Sequence, residues 1–480
     1  MYDGLSFDDV LLLPQYSEIV PKETNIESYI TNSIKLRVPL ISAAMDTVTE
    51  SDMAIAMAKM GGIGCIHKNL SINEQVQEVK KVKNYENAIV RNPVTVSPET
   101  PVQKIMEIQK SLNISGIPVT NNGKLVGIIT NRDVRFVENL NISAQDVMTK
   151  HNLITVNDKI SLSEAKSLLH KYRIERLIVT DDNDQCIGLI TVKDILNINK
   201  YPYSSKDDNS RLRVAAAIGV DDLDRALELS RAETDLLILD TAHGHSKLAI
   251  DSLKLLKSRI PQEIVVGNIV TAQAAKDLIQ AGADALKVGI GPGSICTTRV
   301  IAGIGVPQFS AIMNVTKACI DTDIKIIADG GIKHSGDIAK ALAAGAHTVM
   351  LGSLFAGTDE APGEIIVYNN RTYKNYRGMG SLSAMRQGSS SRYFQNKNAS
   401  KLVAEGVEAR VPYKGTVNNV VEQLKGGIKA SLGYTGNHNI QELHKSAKFT
   451  KITLSSAKES HPHSVMISSA PPNYFSEEIQ

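Results

Sequence analysis

Short apolar runs alternate with helical stretches along most of the chain. Strands that are separated by helices belong to parallel sheets. Eight parallel strands with helices between them close a (β/α)8 barrel of the TIM type, which is an α/β fold. The chain offers eight such runs, at residues 39–44, 62–66, 214–218, 236–239, 264–266, 285–288, 325–328 and 348–351. We therefore predict a TIM barrel.

The residues that follow these runs favour a site at one end of the barrel. Most runs lead directly into glycine or a polar residue, among them Gly219, Asp240 and Asp329. A barrel carries its functional loops at the carboxyl ends of its strands. The competing fold is an open Rossmann sheet, whose glycine fingerprint opens the first βαβ unit. Here the glycine-rich loop follows the sixth run, which favours the barrel.

An internal repeat interrupts the barrel between its second and third strands. Residues 94–96 match residues 154–156, and residues 116–120 match residues 176–180, at an offset of about 60. Self-similarity of this kind indicates a duplicated structural unit.

Each half of the repeat predicts a short strand, a helix and two strands joined by a polar turn, which is an α+β unit. Apolar spacing at Val102, Ile105 and Met106 indicates the first helix. The duplicated unit resembles a tandem pair of cystathionine-β-synthase (CBS) modules. The predicted domains are a barrel of residues 1–88 and 202–480 and an inserted CBS pair of residues 89–147 and 148–201.

Composition narrows the class of protein. The 53 basic and 51 acidic side chains nearly balance, so nucleic acid is not the expected main partner, and 42% apolar residues are typical of a globular protein. The first residues carry acids instead of a basic stretch, and no apolar run approaches the roughly 18 residues that span a membrane. We expect a cytoplasmic protein without a membrane partner.

The four cysteines predict one reactive thiol. They show no Cys-x-x-Cys pair and no nearby histidine cluster, so neither a disulfide framework nor a zinc site is indicated. Cys65, Cys186 and Cys319 lie in strand or helix patterns, which favours a structural role. Cys296 has Gly, Pro, Ser, Thr and Arg neighbours that offer no apolar core. A thiolate attacks electrophilic carbon readily, so Cys296 is the predicted nucleophile.

Two further glycine loops, Asp329-Gly330-Gly331 and Gly352-Ser353, end the seventh and eighth predicted strands. Barrels commonly hold a phosphate through backbone N–H groups at this place, which indicates a phosphorylated substrate. Either loop alone is equally well explained as a turn. Asp329 and Asp240 could accept bonds from ribose hydroxyls, although both are also suited to capping loops.

A long polar region follows the eighth strand. It runs from Asn375 past Arg392-Tyr393 to Gly406 and shows no periodic pattern. A region of this kind suggests a mobile lid over the site.

Together these motifs resemble the family of IMP dehydrogenases and GMP reductases. The resemblance covers nearly the whole chain, from the opening Leu5-Ser-Phe-Asp-Asp-Val-Leu-Leu to Glu459-Ser460-His461. The Gly-Ser-Ile-Cys-Thr-Thr-Arg loop of residues 293–299 is its most specific part, whereas Asp-Gly-Gly occurs in many barrels. The resemblance implies NAD-dependent oxidation of IMP to XMP, the committed step of guanine nucleotide synthesis.

The implied chemistry has two steps. Cys296 adds to carbon 2 of the hypoxanthine ring and a hydride passes to NAD, which leaves a thioimidate that water hydrolyses. The resemblance places Arg392 on a mobile flap as the base for this water. A guanidinium keeps its proton to a pKa above about 12, so the residues alone indicate only a phosphate contact for Arg392. The implied catalytic residues are Cys296, Thr298, Arg392 and Tyr393.

The same resemblance implies the binding residues. The implied substrate contacts are Ser294, Asp329, Gly330, Gly331, Gly352, Ser353, Tyr376, Arg377, Gly378, Met379, Gly380 and Glu405, and the implied NAD contacts are Asp240, Gly289, Ile290 and Gly291. A monovalent cation, usually potassium, would be held by Gly291, Gly293 and Cys296 and completed by Glu459, Ser460 and His461 of a neighbouring subunit. This arrangement implies a homotetramer.

In the CBS pair, the resemblance assigns purine nucleotide effectors to Thr130, Asp133, Thr191 and Asp194. The chain departs from many relatives at Ser391, where an Asp usually precedes the Arg-Tyr pair. That departure puts the closure of the flap in doubt.

Two other functions remain open. A GMP reductase shares the barrel and the cysteine loop but needs no flap that activates water, so Arg392-Tyr393 and Glu405 argue against it. A nucleotide-sensing regulatory protein with an inactive barrel is the second alternative, and the intact Cys296 loop argues against it.

Overall fold

The computed structural model of the chain describes residues 3–85, 90–91, 93–112, 114–158, 160–192, 195–196, 201–396, 398–469 and 471–474. The chain divides into two compact units, the larger of which consists of Met1–Lys83, Tyr203–Asp207 and Leu212–Gln480. The smaller unit consists of Asn84–Pro202 and Asp208–Arg211. The division follows the inserted repeat, except that Asp208–Arg211 also belongs to the smaller unit.

The larger unit is built on a closed barrel of parallel strands, which confirms the predicted fold. The last strand pairs with the first through Val349 and Leu40, so the sheet has no edge. In chain order the strands are β1 (Leu40–Ser42), β2 (Ile63–Ile66), β3 (Val214–Ile218), β4 (Leu236–Asp240), β5 (Glu263–Ile269), β6 (Ala285–Val288), β7 (Lys325–Asp329) and β8 (Thr348–Leu351).

The strands are apolar because helices or core cover both of their faces. Every residue of β3 and β4 is buried. Alternate residues of each strand fill the inside of the barrel, because successive side chains of a strand point to opposite faces. That inner core contains Ile41, Cys65, Ala215, Ile238, Val265, Ala285, Ile327 and Met350. Cys65 is fully buried there, as its predicted structural role requires.

Helices surround the barrel. They are α1 (Ser51–Lys59), α2 (Ile72–Lys83), α3 (Leu223–Arg231), α4 (Lys247–Lys257), α5 (Ala272–Gln280), α6 (Gln308–Cys319), α7 (Ser335–Ala343) and α8 (Val417–Thr435). Side-chain caps begin two of them, because Ser246 and Thr271 accept backbone N–H groups of α4 and α5. Helix α8 packs against both α7 and α1, which completes the ring.

A short hairpin closes the amino-terminal end of the barrel. Its strands, Ser28–Tyr29 and Lys35–Leu36, pair in antiparallel register. Ile30, Ile34 and Leu36 belong to the same core as the barrel interior. Thr31 Oγ1 donates to Glu263 Oε2 at 2.5 Å, at the start of β5. A ligand therefore has access from the opposite, carboxyl-terminal end.

The region beyond β8 has regular structure that the sequence analysis did not predict. An antiparallel sheet joins Ile365–Tyr368, Arg371–Arg377 and Glu408–Pro412. Asn369 and Asn370 link the first two strands with φ of 48° and 57°, the conformation of a type I′ hairpin turn. The expectation of a patternless region from Asn375 to Gly406 is therefore wrong where the chain forms the end of Arg371–Arg377 and the helical segments Leu382–Gln387 and Ser389–Tyr393.

The other elements of the larger unit are short. Val10–Leu12 pairs with Phe449–Lys451, which ties the start of the chain to its later part. The remaining helical segments are Phe7–Asp9, Pro21–Glu23, Thr298–Ile301, Ser353–Ala356, Ile440–Ser446 and Leu454–Glu459. Within the described ranges, no helix combines the length and apolar character needed to cross a bilayer.

The smaller unit consists of two halves with separate cores. Both halves contain a helix followed by a hairpin, as the repeat predicts. The strands are Val90–Arg91, Gly116–Asn121, Lys124–Thr130, Thr155–Val156, Arg176–Thr180 and Cys186–Thr191, and the helices are Val102–Leu112, Asn131–Val134, Ala144–Val147 and Leu162–Tyr172.

Candidate active site

A cleft opens at the carboxyl-terminal end of the barrel, where the loops after the strands converge. It brings together residues that are far apart in the chain, because parallel strands of one barrel all end at the same rim. The predicted site residues that line it are Asp240, Gly289, Ile290, Gly291, Gly293, Ser294, Cys296, Thr298, Asp329, Gly330, Gly331, Gly352, Ser353, Tyr376, Gly378, Met379, Gly380, Arg392, Tyr393 and Glu405.

Cys296 lies at the mouth of the barrel on the loop after β6 and is half-buried. Its Sγ donates to Thr298 Oγ1 at 3.2 Å, and Thr298 Oγ1 donates to Glu405 Oε2 at 2.8 Å. A thiol, a hydroxyl and a carboxylate thus form one chain of hydrogen bonds. Such a chain can pass a proton from a group near the thiol to the carboxylate.

Backbone bonds fix Glu405 in this chain. Thr297 N–H donates to the Glu405 carbonyl, and Glu405 N–H donates to the Gly380 carbonyl, each at 2.9 Å. Gly380 and Gly406 allow this approach, because a Cβ at either would lie within 3.3 Å of neighbouring atoms. The segment that carries Glu405 is therefore clamped between the cysteine loop and the 378–380 loop.

A buried lysine holds the floor of the cleft. Lys287 on β6 donates from Nζ to Asp240 Oδ1 at 2.9 Å and to Asp329 Oδ2 at 2.7 Å. It also bonds to Asn268, whose Nδ2 donates to Asp329 Oδ2 at 3.0 Å. The lysine is 2% exposed, so its charge is balanced by these carboxylates and not by water. Both predicted ribose-binding carboxylates are therefore held in place from below.

Arg392 reaches the same network from above. Its Nη1 forms an ion pair with Asp240 Oδ2. Its carbonyl accepts the Ala242 N–H at 2.9 Å. Its buried Nε has no hydrogen-bond partner in the part of the chain that the structure describes. The neighbouring Tyr393 ring lies against Gly380, where an added Cβ would come within 2.8 Å. Arg392 and Tyr393 thus cover the cleft beside the cysteine loop.

Two tyrosines in the cleft are neutral at physiological pH. Burial raises the pKa of Tyr376, although a bond to Ser294 opposes the shift. Burial also raises the pKa of Tyr393, and nearby Arg392 opposes this. Both phenols can therefore donate a hydrogen bond to an anionic ligand.

The glycine loops require glycine. Gly330 and Gly331 have φ of 91° and 79°, which residues with a Cβ rarely adopt. A Cβ at Gly352 would lie 2.7 Å from Tyr376 Oη. The backbone N–H groups of these loops are consequently open to close approach by a ligand.

Some predicted residues lie elsewhere. Arg377 does not line the cleft, because its guanidinium binds Asp46 through both Nε (3.1 Å) and Nη2 (2.7 Å). Glu459, Ser460 and His461 are exposed at the end of Leu454–Glu459 and do not line the cleft of their own chain. The His461 ring instead packs near His334 and Tyr474.

The smaller unit has a cavity of its own. Thr191 lines it, together with residues of both halves that include Arg176. Thr130 and Asp133 do not, because they form a helix cap in which Asp133 Oδ2 accepts from Thr130 N–H and Oγ1 at 2.7 Å. Asp194 lies outside the described residues.

Lys287 and Asn268 are functional candidates that the sequence analysis did not select. A lysine within the apolar run Ala-Leu-Lys-Val is a usable signal, because lysine is rarely buried without a partner. Asn268 gives no such signal, since asparagine is common in loops. Among the described residues, no group of three His, Cys, Asp or Glu side chains is arranged to hold a metal ion.

The closed barrel, with a thiol and two carboxylates lining the cleft at the loop end of its strands, defines the class of (β/α)8 enzymes. Residues 4–463 match the model of the IMP dehydrogenase / GMP reductase domain. The chain belongs to this family. An inosine-5'-monophosphate dehydrogenase of Aquifex aeolicus is 52% identical over 479 residues, 98% of each chain.

Further relatives agree with this assignment. One from Helicobacter pylori with the same name is 52% identical over 474 residues, 98% of each chain. Among solved structures, a GMP reductase variant from Trypanosoma brucei in complex with guanosine 5'-monophosphate matches with a TM-score of 0.89 and 38% identity, over 97% of this chain and 99% of that one.

Proposed function

We propose that the chain oxidises IMP to XMP with NAD through a covalent bond to Cys296. The observation that carries the proposal is the hydrogen-bonded chain from Cys296 through Thr298 to Glu405, next to the Arg392–Asp240 pair. The name and extent of the curated relatives support the choice of reaction.

The substrate nucleotide lies along the rim between β6 and β8. Its phosphate is held by backbone N–H groups of the loops at Gly330-Gly331 and Gly352-Ser353, and Tyr376 donates from its neutral phenol. Asp329 accepts from ribose hydroxyls, and Lys287 keeps it in position. Ser294, the 378–380 backbone and Glu405 surround the base. Arg377 binds Asp46 and so stabilises the adjoining 378–380 loop.

In the first step the Cys296 thiolate bonds to carbon 2 of the purine, and the hydride on that carbon leaves. A bound NAD would supply the acceptor for this hydride. The groups assigned to NAD are Asp240 and the backbone of residues 289–291, which all line the cleft. They fit a dinucleotide ribose, because an ionised carboxylate offers only acceptors to ribose hydroxyls.

In the second step water attacks the thioimidate, and the bond to Cys296 breaks to release XMP. Arg392 and Tyr393 lie over the cleft where this water must enter. The Thr298–Glu405 bond offers a second path for the proton. Asp240 pairs with Arg392 in the structure, so NAD and the arginine compete for the same carboxylate. The arginine therefore takes its place after NADH has left.

A potassium ion fits the cysteine loop. The carbonyls of Gly291, Gly293 and Cys296 are neutral oxygen ligands, of the kind that potassium prefers. The Gly293 carbonyl already accepts the Cys296 N–H at 3.0 Å, which orders the loop. The exposed residues 459–461 do not line the cleft of their own chain. They would complete the potassium site of a neighbouring copy within a homotetramer.

The smaller unit, as a tandem CBS pair, binds purine nucleotide effectors in its cavity between the two halves. Thr191 lines this cavity. Thermal shift with ATP or GTP tests this assignment, and unchanged melting, kinetics and oligomeric state at saturating nucleotide would exclude it.

The absorbance at 340 nm tests the main proposal. Purified protein with IMP, NAD and potassium should produce NADH, while GMP with NADPH should give no change. Loss of NADPH with GMP would instead establish the reductase reaction, which the structural match to a GMP reductase makes the second candidate. No change of absorbance in either assay, with nucleotide still bound, would favour a nucleotide-sensing protein.

A further inference from the structure

A buried lysine outside the cleft contacts the turn that carries Arg392. Lys68 follows β2 by two residues and is 8% exposed. Its Nζ donates to Ser391 Oγ at 2.5 Å. Ser391 directly precedes Arg392 in the 3₁₀ segment Ser389–Tyr393. Lys68 does not line the cleft, but its bond to this turn connects it to Arg392, which does.

The loop after β3 also lies close to Lys68. A Cβ at Gly219, after β3, would lie 3.2 Å from Nζ. In the same turn the Asp222 carboxylate is bound by Arg225 Nε at 2.8 Å. Burial lowers the pKa of Lys68 to about 8, with Arg225 and Arg392 adding to the shift and Asp222 opposing it. Removing an ammonium from water is costly unless it keeps a hydrogen-bond partner. Its bond to Ser391 therefore stabilises the position of the turn.

The next residue holds the other end of the same segment. Asn69 Nδ2 donates to the Ala384 carbonyl at 3.3 Å and to Asp46 Oδ2 at 2.8 Å. Gly388 lies against Asn69, because a Cβ there would be 3.3 Å from Oδ1. Two successive residues after β2 therefore contact the start and the end of the segment from Leu382 to Tyr393.

We propose that Lys68 is a positioning residue for Arg392, and that its bond to Ser391 holds the 3₁₀ turn over the cleft. The inference rests on the proposed function, in which Arg392 acts in the hydrolysis step. Within the described residues, Lys68 bonds to Ser391 and to neither the Cys296 loop nor the glycine loops. The step that forms NADH is therefore independent of Lys68, while the step that follows depends on it.

Stopped-flow absorbance at 340 nm separates the first burst of NADH from the steady state. We expect Lys68→Met to lower the steady-state rate about 10-fold, while the burst rate changes less than about twofold, because a charge-assisted bond to the turn is lost. Lys68→Arg should retain most of the steady-state rate. Ser391→Ala should lower the steady-state rate about threefold. The double variant should lose no more of this rate than Lys68→Met, because both substitutions remove the same Lys68–Ser391 bond.

Lys83→Met is the matched control, because Lys83 is also a buried lysine but lies at the other end of the barrel. It should leave the ratio of burst to steady-state rate unchanged. Equal losses in burst and steady state for Lys68→Met, or additive losses in the double variant, would overturn the inference.

Hydrogen exchange of residues 389–394 gives a readout that needs no turnover. Exchange should be faster in Lys68→Met and Ser391→Ala than in the unmodified protein or in Lys83→Met. Unchanged exchange in folded Lys68→Met would overturn the inference, whatever the activity. A failure of the proposed function is distinguishable, because the unmodified protein would then form no NADH from IMP.

Discussion

Each end of the barrel contains a buried lysine between two aspartates. At the carboxyl-terminal end Lys287 bonds to Asp240 and Asp329. At the amino-terminal end Lys83 bonds to Asp207 at 2.9 Å and to Asp235 at 2.7 Å. The lysines are equally inaccessible, each 2% exposed. The same ionic chemistry is therefore used twice in one fold.

The two networks differ in the other groups that bond to their carboxylates. Asp235 Oδ2 also accepts the Val214 N–H at 2.8 Å, and Lys83 donates to the Leu212 carbonyl at 3.3 Å. These bonds close the lower network, and burial raises the pKa of Asp235 although Lys83 opposes it. The upper network opens into the cleft, where Arg392 pairs with Asp240. Position in the barrel, and not the ion pair itself, therefore decides between a structural and a functional role.

The largest effect is expected from Cys296→Ala at the upper end. Removal of the nucleophile should lower NADH formation at least about 1,000-fold, because the covalent intermediate requires its sulfur. IMP binding, measured by calorimetry, should survive, since the glycine loops are untouched. Substantial remaining NADH formation would refute the assignment of Cys296.

Exchanging each lysine for methionine tests the comparison directly. Lys287→Met should lower kcat/KM about 100-fold, because Asp240 and Asp329 lose their common support. Lys83→Met should leave the activity of the folded protein within about twofold. Both should lose about 3–5 kcal/mol of stability in urea unfolding, because buried carboxylates remain unpaired. Equal kinetic losses in the two variants would contradict the division between the ends.

Asp240→Asn tests the role of the upper network in NAD binding. Loss of the charge should weaken both NAD binding and the pairing with Arg392, and we expect about a 10-fold lower kcat/KM for NAD. Initial rates at varied NAD concentration measure this. Asp235→Asn is the control at the lower end, where stability should fall but the KM for NAD should not change.

The smallest effect on activity is expected at His347, which contributes to acid stability at the lower end. His347, just before β8, accepts the Ile326 N–H at Nδ1. Burial lowers the pKa of His347 to about 3, and His444 adds to this shift. Because the unfolded chain takes up this proton near its ordinary pKa of about 6.5, stability should fall as the pH drops from 6.5 toward 3.

Urea unfolding of His347→Gln and of the unmodified protein measures this effect. The variant should lose less stability between pH 7 and pH 4.5, while the ratio of burst to steady-state rate stays the same. Parallel stability curves would show that His347 does not contribute.

Local patterns were enough to predict the barrel and most of the cleft. Strands such as Val214–Ile218 and Ala285–Val288 have the predicted bounds, because each is a short apolar run that is followed directly by glycine. The hairpin turn at Asn369-Asn370 was predictable from the same kind of signal and was missed. The contact of Arg377 was not predictable, because its partner Asp46 is 331 residues distant in the chain.

Sequence patterns alone predicted the order of strands and helices, the inserted repeat and the choice of Cys296. Those features depend on periodicity and on neighbours along the chain. Only the tertiary structure decided that Lys287 joins Asp240 to Asp329, that Arg392 pairs with Asp240, and that Lys68 contacts Ser391. These pairs form because barrel closure brings the carboxyl ends of all strands to one rim, and a desolvated charge must find its partner there.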